Sequence, residues 1–355
     1  MDLPCGVFSR GPEQDMAIVR TRTQWGLLIA LLIFLFTLPL FVSTTLLHFA
    51  TYVSITIIAV HGLNIITGYC GQISLGHAIF MVVGGTASGI FTFRWGLPYW
   101  VALPCAGLLS GAVGMFFGLP SVRIKGFYLA LTTLAAHFII PYVIVNVPGI
   151  STLSGAARGL TNLPRPFSQG IGFLDADQSY YLLVIVCTVL VTFFVKNLAR
   201  TRAGRSFVAI RDNDIAAESV GINLFRYKLL AFFIGSFLAG IAGSLWCHYM
   251  GSVTPYLLNI MDSIWFMGML IVGGLGSTTG VILGVLFLKG LGEIVTTMTP
   301  GMLESLPFLS VKLTISGVMM VYALVIILFL VFEPRGINHW WQRVKTSYRM
   351  WPFAY

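Results

Sequence analysis

The sequence predicts an all-α protein that crosses a membrane about ten times. Of its 355 residues, 57% are hydrophobic and only 9% are charged, and the mean hydropathy is +0.89. Apolar runs of about 18 or more residues recur along the chain, which is the length that a helix needs to cross a bilayer. The 38 glycines suit this class, because small residues let membrane helices approach closely. This composition excludes a water-soluble domain.

Ten apolar runs are separated by mostly short connections. The first run is too long for the core of a signal peptide, so residues 1–24 are interpreted as a polar N-terminal lead. One transmembrane unit is expected over 25–333, followed by a tail at 334–355 whose Trp, Tyr and Arg suit a membrane interface. The predicted spans are 25–46, 50–67, 73–93, 98–119, 126–146, 179–198, 228–250, 261–275, 279–298 and 309–332.

The charges of the connections predict the orientation of the chain. Ten spans place both termini and 16 of the 21 Lys and Arg residues on one side. Basic connections stay in the cytoplasm, so this side is predicted to be cytoplasmic. The longest opposite connection, 147–178, is rich in Pro and Gly and is expected to form a turn-rich external cap with a short helix. Orientation explains the net charge of +9 better than a nucleic-acid partner does.

The segment 196–228 is the most basic stretch of the chain and carries seven Lys and Arg residues. Within it, 212–220 suits a short helix, because Asp212, Asn213 and Asp214 can cap a first turn. Gly221 falls where such a helix stops. The connecting loop 199–227, which contains this helix, is expected to be cytoplasmic. Its charges would also serve simply to anchor the topology, and that alternative stays open.

This short helix has a narrow apolar stripe but no core of its own to cover. The stripe recurs at i, i+4 and i+7. We therefore expect it to dock onto a partner. The stripe consists of Ile215, Ser219 and Ile222, flanked by Ala216 and Val220.

Glycine clusters interrupt two apolar runs, around 68–85 and 273–284, and bring polar side chains into them. Irregular backbone at membrane depth is tolerated where protein buries it or where it lines a cavity. Two such segments in two five-span halves favour an inverted 5+5 repeat that meets at a pathway. Close packing of helices is the alternative for each glycine. The candidate pathway residues are Gly68, Gly71, Gln72, Ser74, Gly76, His77, Gly273, Gly274, Gly276 and Ser277.

The sequence gives less support to a hydrolase, to a metal site or to a self-powered carrier. Ser74 and His77 lie close in sequence, but no acid is placed to orient the histidine, which argues against a hydrolase. The five cysteines are scattered without CxxC spacing, so no metal or disulfide is expected. Lys289 and Glu293 lie at i, i+4 and can neutralise each other. A self-powered carrier is therefore disfavoured, because such carriers use carboxylates buried in their spans.

Four stretches resemble the LivM-type permease of the branched-chain amino acid ABC importers, and the resemblance runs from about residue 50 to 337. It implies a fold like that of type II ABC importers. It also implies that the segment around Ala216–Gly221 is a coupling helix that inserts into a groove of the ATP-hydrolysing subunit. The stretches are GYCGQISLGHAIF (68–80), AIRDNDIAAESVGINLFRYKLLAFFIGSFLAGIAGSLW (209–246), GGLGSTTG (273–280) and FEPRGI (332–337). The candidate coupling residues are Arg211, Asp212, Asn213, Asp214, Ala216, Ala217, Glu218 and Gly221.

The resemblance also implies partners and a location. These are a second, LivH-type permease subunit, two ATP-binding cassette ATPase subunits and an extracytoplasmic substrate-binding protein, in the bacterial inner membrane. The sequence has no GxxxxGK[ST] pattern, so ATP and Mg are expected on the partner subunits and this chain is not expected to be an enzyme. The expected cargo is branched-chain or other hydrophobic amino acids. Relatives in the same family that carry urea or short amides keep that alternative open.

Overall fold

The fold was analysed in a computed structural model, which describes residues 22–122, 126–170, 172, 174–305, 320, 323–329, 331–333 and 336–350. The predicted lead at 1–24 and the predicted span at 309–332 lie largely outside the described residues, although 323–329 are helical. The count of ten spans and the inverted repeat therefore stay predictions.

The described chain is almost entirely helical, as predicted. Long helices alternate with short connections, and two of the long helices end in π-helical turns, Asn64–Tyr69 and Ile90–Arg94. Short 3-10 turns occupy Leu119–Val122 and Ala156–Arg158. The α-helices are α1 Arg22–Phe41, α2 Thr44–Leu63, α3 His77–Gly89, α4 Tyr99–Gly118, α5 Phe127–Asn146, α6 Ile150–Ser154, α7 Ala176–Leu198, α8 Arg202–Asp212, α9 Asp214–Ser219, α10 Leu224–Met250, α11 Ile260–Gly273, α12 Thr278–Ser305 and α13 Ile337–Met350.

Among the residues that the structure describes, six helices are long and apolar enough to cross a membrane, so the chain is a polytopic membrane protein. Two shorter apolar helices, Trp25–Phe41 and Ile260–Gly273, accompany them. Several predicted span ends differ from the observed helix ends by several residues, because apolar composition does not mark where a helix begins. The long spans are Thr44–Tyr69, Tyr99–Ser121, Tyr128–Asn146, Ala176–Leu198, Leu224–Met250 and Thr278–Val295.

Helix α10 lies at the centre of the bundle and packs against α2, α3 and α4. Its small residues permit this, because membrane helices associate through close backbone contact. A Cβ atom on Gly84 of α3 would overlap the backbone of Gly240, and one on Gly235 would meet the Ile66 side chain. Ser110 of α4 adds a hydrogen bond to the Ser236 carbonyl at 2.9 Å. The glycines of α10 are thus used for packing.

The two ends of the bundle differ. The basic end, as we name the end that holds 202–228, also holds Tyr69 and Gly274. The loop end holds 147–178, where the predicted short helix is α6. Strand Leu160–Thr161 there pairs antiparallel with Ser252–Val253, and the Leu163 N–H donates to the Gly251 carbonyl at 2.9 Å. The cap is therefore tied to the end of α10.

Replacing Gly84 with Ala should destabilise the bundle. The added methyl group would strike the Gly240 backbone, which is not a flexible side-chain end, and overpacking of this kind costs about 1–3 kcal/mol. The midpoint of thermal unfolding of the detergent-purified protein should fall. Gly26→Ala is the matched control, because no atom lies within 4 Å of a Cβ at that position. Equal midpoints for the two variants would contradict the packing described here.

Candidate functional site

The basic segment folds as two helices rather than the single helix that the sequence predicts. Helix α8 begins after Thr201, whose side chain accepts a hydrogen bond from the Gly204 N–H. It buries Phe207 and Ile210 against the bundle. Sequence reasoning missed this helix, although its apolar positions three residues apart are a helical signal.

Helix α9 is capped by one of the three predicted residues. The Asn213 side chain accepts a hydrogen bond from the Ala216 N–H at 3.1 Å. Asp212 belongs to the end of α8, so its prediction as a cap of the first turn was wrong; extended backbone at Asn213 separates the two helices. Gly221 follows α9 with a φ of +88°, and the predicted stop is confirmed.

Two branched apolar residues, Ile215 in α9 and Val220 directly after it, face away from the chain. Ile215 and Val220 are 75% and 81% exposed, whereas Ala217 is 4% exposed and packs inward. Glu218 and Ser219 are also exposed. An exposed pair of branched apolar side chains on a polar loop favours a docking surface. We call Ile215 and Val220 the α9 apolar pair.

A buried lysine fixes α9 to the bundle. Lys228, on the first turns of α10, is only 1% exposed. Its ammonium group donates to the Ser121 carbonyl at 3.3 Å and lies 3.9 Å from a carboxylate oxygen of Asp214. A buried ammonium needs such partners because its desolvation is costly. The contact therefore ties α9 to both α4 and α10.

Arg211 connects α8 to the first glycine-broken segment. Its Nη1 atom donates to the Gly68 carbonyl at 2.9 Å, and its Nε atom donates to the Asp212 carboxylate at 3.0 Å. A Cβ atom on Gly71 would approach Arg211 to 2.8 Å, and one on Gly276 would approach it to 3.0 Å. Arg211 thus lies where both glycine segments meet.

Asn64 joins the two glycine segments directly. Its side-chain oxygen accepts a hydrogen bond from the Gly276 N–H at 2.9 Å, and its amide donates to the Ser277 carbonyl at 3.4 Å. A Cβ atom on Gly68 would lie 2.5 Å from the Gly276 nitrogen, so the two backbones touch. We call the contact of Asn64, Gly68, Arg211 and Gly276 the glycine junction. Sequence analysis missed Asn64, a polar residue within an apolar run.

The first glycine segment is unwound. Residues 70–76 have no helical structure, and α3 begins only at His77. His77 Nε2 donates to the Ala59 carbonyl at 2.8 Å, ten residues before the end of the π-helix, so α3 starts about 15 Å inside the bundle. The helix thus begins at His77, within several residues of the predicted span start at 73.

Neighbouring helices satisfy the backbone of the unwound segment. The Leu75 N–H donates to the Thr133 hydroxyl at 3.0 Å, and the Ala78 N–H donates to the Ser263 hydroxyl at 2.9 Å. A Cβ atom on Gly76 would overlap the Thr133 carbonyl. These contacts meet the requirement that irregular backbone at membrane depth be buried in protein.

Of the polar side chains in this segment, Gln72 forms a hydrogen bond within the segment, whereas Ser74 forms none in the described part of the chain. The Gln72 amide donates to the Cys70 carbonyl at 3.3 Å, whereas the buried Ser74 hydroxyl has no hydrogen-bond partner in the described part of the chain. Ser74 and His77 therefore form no nucleophile–base pair here. Among the described residues, no group of three His, Cys, Asp or Glu could hold a metal ion.

The second glycine segment is a tight turn. Gly274 and Gly276, with φ values of +112° and +74°, join α11 to α12. Gly336 packs on this turn, because a Cβ atom at that position would lie 2.6 Å from the Gly274 nitrogen. The Thr279 hydroxyl donates to Asn338 at 2.7 Å. The two glycine segments, which the sequence treats as analogous, thus have different structures.

An apolar cavity of about 430 Å³ lies near the loop end, among α3, α4, α5 and α6. Phe91, Trp95, Phe116 and Ile140 contribute to its wall, and Thr86 is the polar side chain there. None of the predicted pathway residues lines it. It can accommodate an apolar group but offers little to a charged ligand.

This arrangement is that of a polytopic helical membrane protein with a short, exposed helix fixed to its basic end. Residues 45–324 match the model of the family described as branched-chain amino acid transport system / permease component. The chain belongs to this family. The chain is 31% identical over 290 residues to the high-affinity branched-chain amino acid transport system permease protein LivM of Escherichia coli, covering 76% of this chain and 68% of that protein.

More distant relatives carry different names. A probable branched-chain amino acid transport permease protein LivM from Methanocaldococcus jannaschii is 26% identical, over 83% of this chain and 92% of its own. The L-arabinose transport system permease protein AraH of Escherichia coli is 24% identical, over 79% and 85%. No solved structure matches the chain. The relatives therefore support one family in which the named cargoes differ.

Replacing Arg211 with Met should loosen the glycine junction. The Gly68 carbonyl would lose its charged donor, and hydrogen bonds to charged groups are worth about 1.5–3 kcal/mol. Hydrogen exchange of peptides covering 68–76 and 274–277 should accelerate. Arg205→Met is the control, because Arg205 is exposed and its guanidinium donates to the nearby Arg200 carbonyl. Unchanged exchange in the Arg211 variant would show that the junction holds without it.

Proposed function

We propose that this chain is the permease subunit of an ATP-driven importer for branched-chain and other hydrophobic amino acids. The observation that carries the proposal is the exposed α9 apolar pair on a helix joined to the glycine junction. Family membership and the likeness to LivM support the cargo. The chain would supply half of the translocation pathway, and a second, LivH-type permease would supply the other half.

The basic end would face the cytoplasm, with both termini on that side, in a bacterial inner membrane. Its arginines and lysines suit the retained side of a membrane. ATP and Mg would be bound by two ATP-binding cassette subunits, and an extracytoplasmic binding protein would deliver the cargo at the loop end. The α9 apolar pair would enter a groove of one ATPase, with Glu218 at its rim.

Coupling would run from α9 through Arg211 to the pathway. Closure of the ATPases would push α9, and Lys228 with Asp214 would carry that displacement into α10 and α4. Arg211 contacts the Gly68 carbonyl, and Asn64 links this backbone to Gly276, so both glycine segments would move with α8. The pathway role of these segments rests on this connection.

Introducing Asp into the α9 apolar pair should uncouple the importer. A carboxylate at 215 or 220 would be buried unpaired in the ATPase groove, and the loss of 2 kcal/mol or more expected at such a site corresponds to roughly 30-fold weaker docking. Uptake by Ile215→Asp or Val220→Asp in reconstituted vesicles should fall strongly, while membrane insertion persists. Leu97→Asp, on the opposite end, is the control and should transport normally. Full transport by both α9 variants would refute the docking role.

The proposed cargo is tested by measuring the uptake of labelled amino acids, urea and short amides. Vesicles that hold the complete transporter should accumulate leucine, isoleucine and valine in an ATP-dependent manner and exclude urea and short amides. Vesicles without the binding protein and vesicles with a hydrolysis-deficient ATPase are the controls. Accumulation of urea in preference to leucine would replace the proposed cargo, and uptake without any ATPase subunit would indicate a self-powered carrier.

A further inference from the structure

The intramembrane cation Lys289 lies on α12, eleven residues after its start, and therefore about 16 Å along the helix. A cation at this depth is costly and usually serves a function. The sequence offers Glu293, four residues later on the same helix, as an anion that could neutralise it. The structure gives Lys289 a partner on another helix, because its ammonium lies 3.8 Å from the centre of the Tyr52 ring and donates to the Tyr52 hydroxyl.

An acidic group lies level with this cation. Helices α11 and α12 are antiparallel, and Gly273 meets Gly280 while Gly284 meets the Met269 carbonyl. This register puts Lys289 level with the first turns of α11, where Asp262 lies. The Asp262 carboxylate, which accepts a hydrogen bond from the Asn259 N–H at 2.7 Å, interacts electrostatically with the Lys289 ammonium. One cation and one anion thus lie at about the same level on two neighbouring helices.

Aromatic rings lead from this pair to the loop end. The Tyr52 ring lies 4.8 Å from Trp246, and Trp246 lies 6.3 Å from Tyr249. All three side chains are partly exposed. At the outer end, the Arg165 guanidinium lies 5.3 Å from the Tyr249 ring and pairs with Asp177 at 2.7 Å. We call Tyr52, Trp246 and Tyr249 the aromatic track.

We propose that the aromatic track and the Lys289–Asp262 pair form a binding site for a zwitterionic aliphatic amino acid during its passage through the permease. Lys289 contacts the carboxylate, Asp262 contacts the ammonium group, and the rings contact the apolar side chain. An ammonium has three N–H donors, and the Tyr52 hydroxyl takes one of them, so donors remain for a carboxylate. This proposal rests on the function proposed above.

The chemistry explains why these groups occur together. Two opposite charges at the same membrane depth attract each other, and a zwitterion can pair with both of them without adding net charge. A neutral solute such as urea has neither charge to offer. The site thus selects the charged backbone of an amino acid, whereas the rings tolerate different aliphatic side chains.

Uptake of labelled leucine by the complete transporter in vesicles tests this site. Lys289→Met should lower uptake about tenfold or more, as the loss of one buried charged contact predicts. Lys289→Arg should retain at least about half of native uptake, because it keeps the charge. Glu293→Gln, one turn further along α12 on an exposed position, is the matched control and should transport like the native protein. Native uptake by Lys289→Met would overturn the proposal.

The native transporter separates the two proposals. If it accumulates no amino acid, the proposed cargo fails; if it does and Lys289→Met is equally active, only this site fails. Basal ATP hydrolysis and recovery of the assembled complex show whether each variant folds.

A second measurement keeps Lys289 intact. Modification of Tyr249→Cys by a methanethiosulfonate reagent, after subtraction of the native background, should slow in the presence of leucine. Isopentylamine, which is leucine without its carboxylate, should protect poorly. Equal protection by both compounds, or none by leucine, would overturn the site even if Lys289→Met fails to assemble.

Discussion

The direct contact of two backbones at the basic end is the constraint on which the rest of this architecture depends. Gly68 and Gly276 touch so closely that a Cβ atom on the first would lie 2.5 Å from the nitrogen of the second. Asn64 fills the remaining space with two hydrogen bonds, and Arg211 closes the contact from the side of α8. Because the contact is steric, it transmits displacement without a flexible side chain in between. The two glycine segments therefore share one rigid point, to which Arg211 attaches α8.

Sequence reasoning recovered the class of the molecule, because hydropathy over about 20 residues decides whether a helix can cross a bilayer. It also placed Gly221 correctly, since a glycine after a short capped helix is a local signal. It treated 70–76 and 274–277 as equivalent, although one is an unwound stretch and the other a tight turn. Glycine composition alone does not distinguish these structures, because the difference lies in where neighbouring helices offer hydrogen-bond partners.

Tertiary contacts decided the details that sequence reasoning missed. Asn64 is one polar residue in an apolar run, and only the approach of Gly276 shows what its amide does. The sequence places Lys228 at the end of the basic segment 196–228, yet its side chain is buried between Asp214 and Ser121. Lys289 has a sequence neighbour of opposite charge, but its ammonium contacts a ring on α2. Long side chains reach across helices, so spacing along one helix does not determine their partners.

The hydrogen bonds in the middle of the bundle, around the start of α3, differ in kind from the glycine junction at the basic end. The N–H groups of Leu75, just before α3, and of Ala78, in its first turn, donate to the hydroxyls of Thr133 and Ser263, which belong to α5 and α11. Interhelical hydrogen bonds of this type are worth about 0.6–2 kcal/mol each, so they can be exchanged for other partners at little cost. Steric contact between glycine backbones offers no such alternative. A displacement of α8 should therefore leave the junction intact and change the packing of α3 against α5 and α11. The unwound segment lies between these two regions, where a change in backbone direction disturbs no helical hydrogen bond.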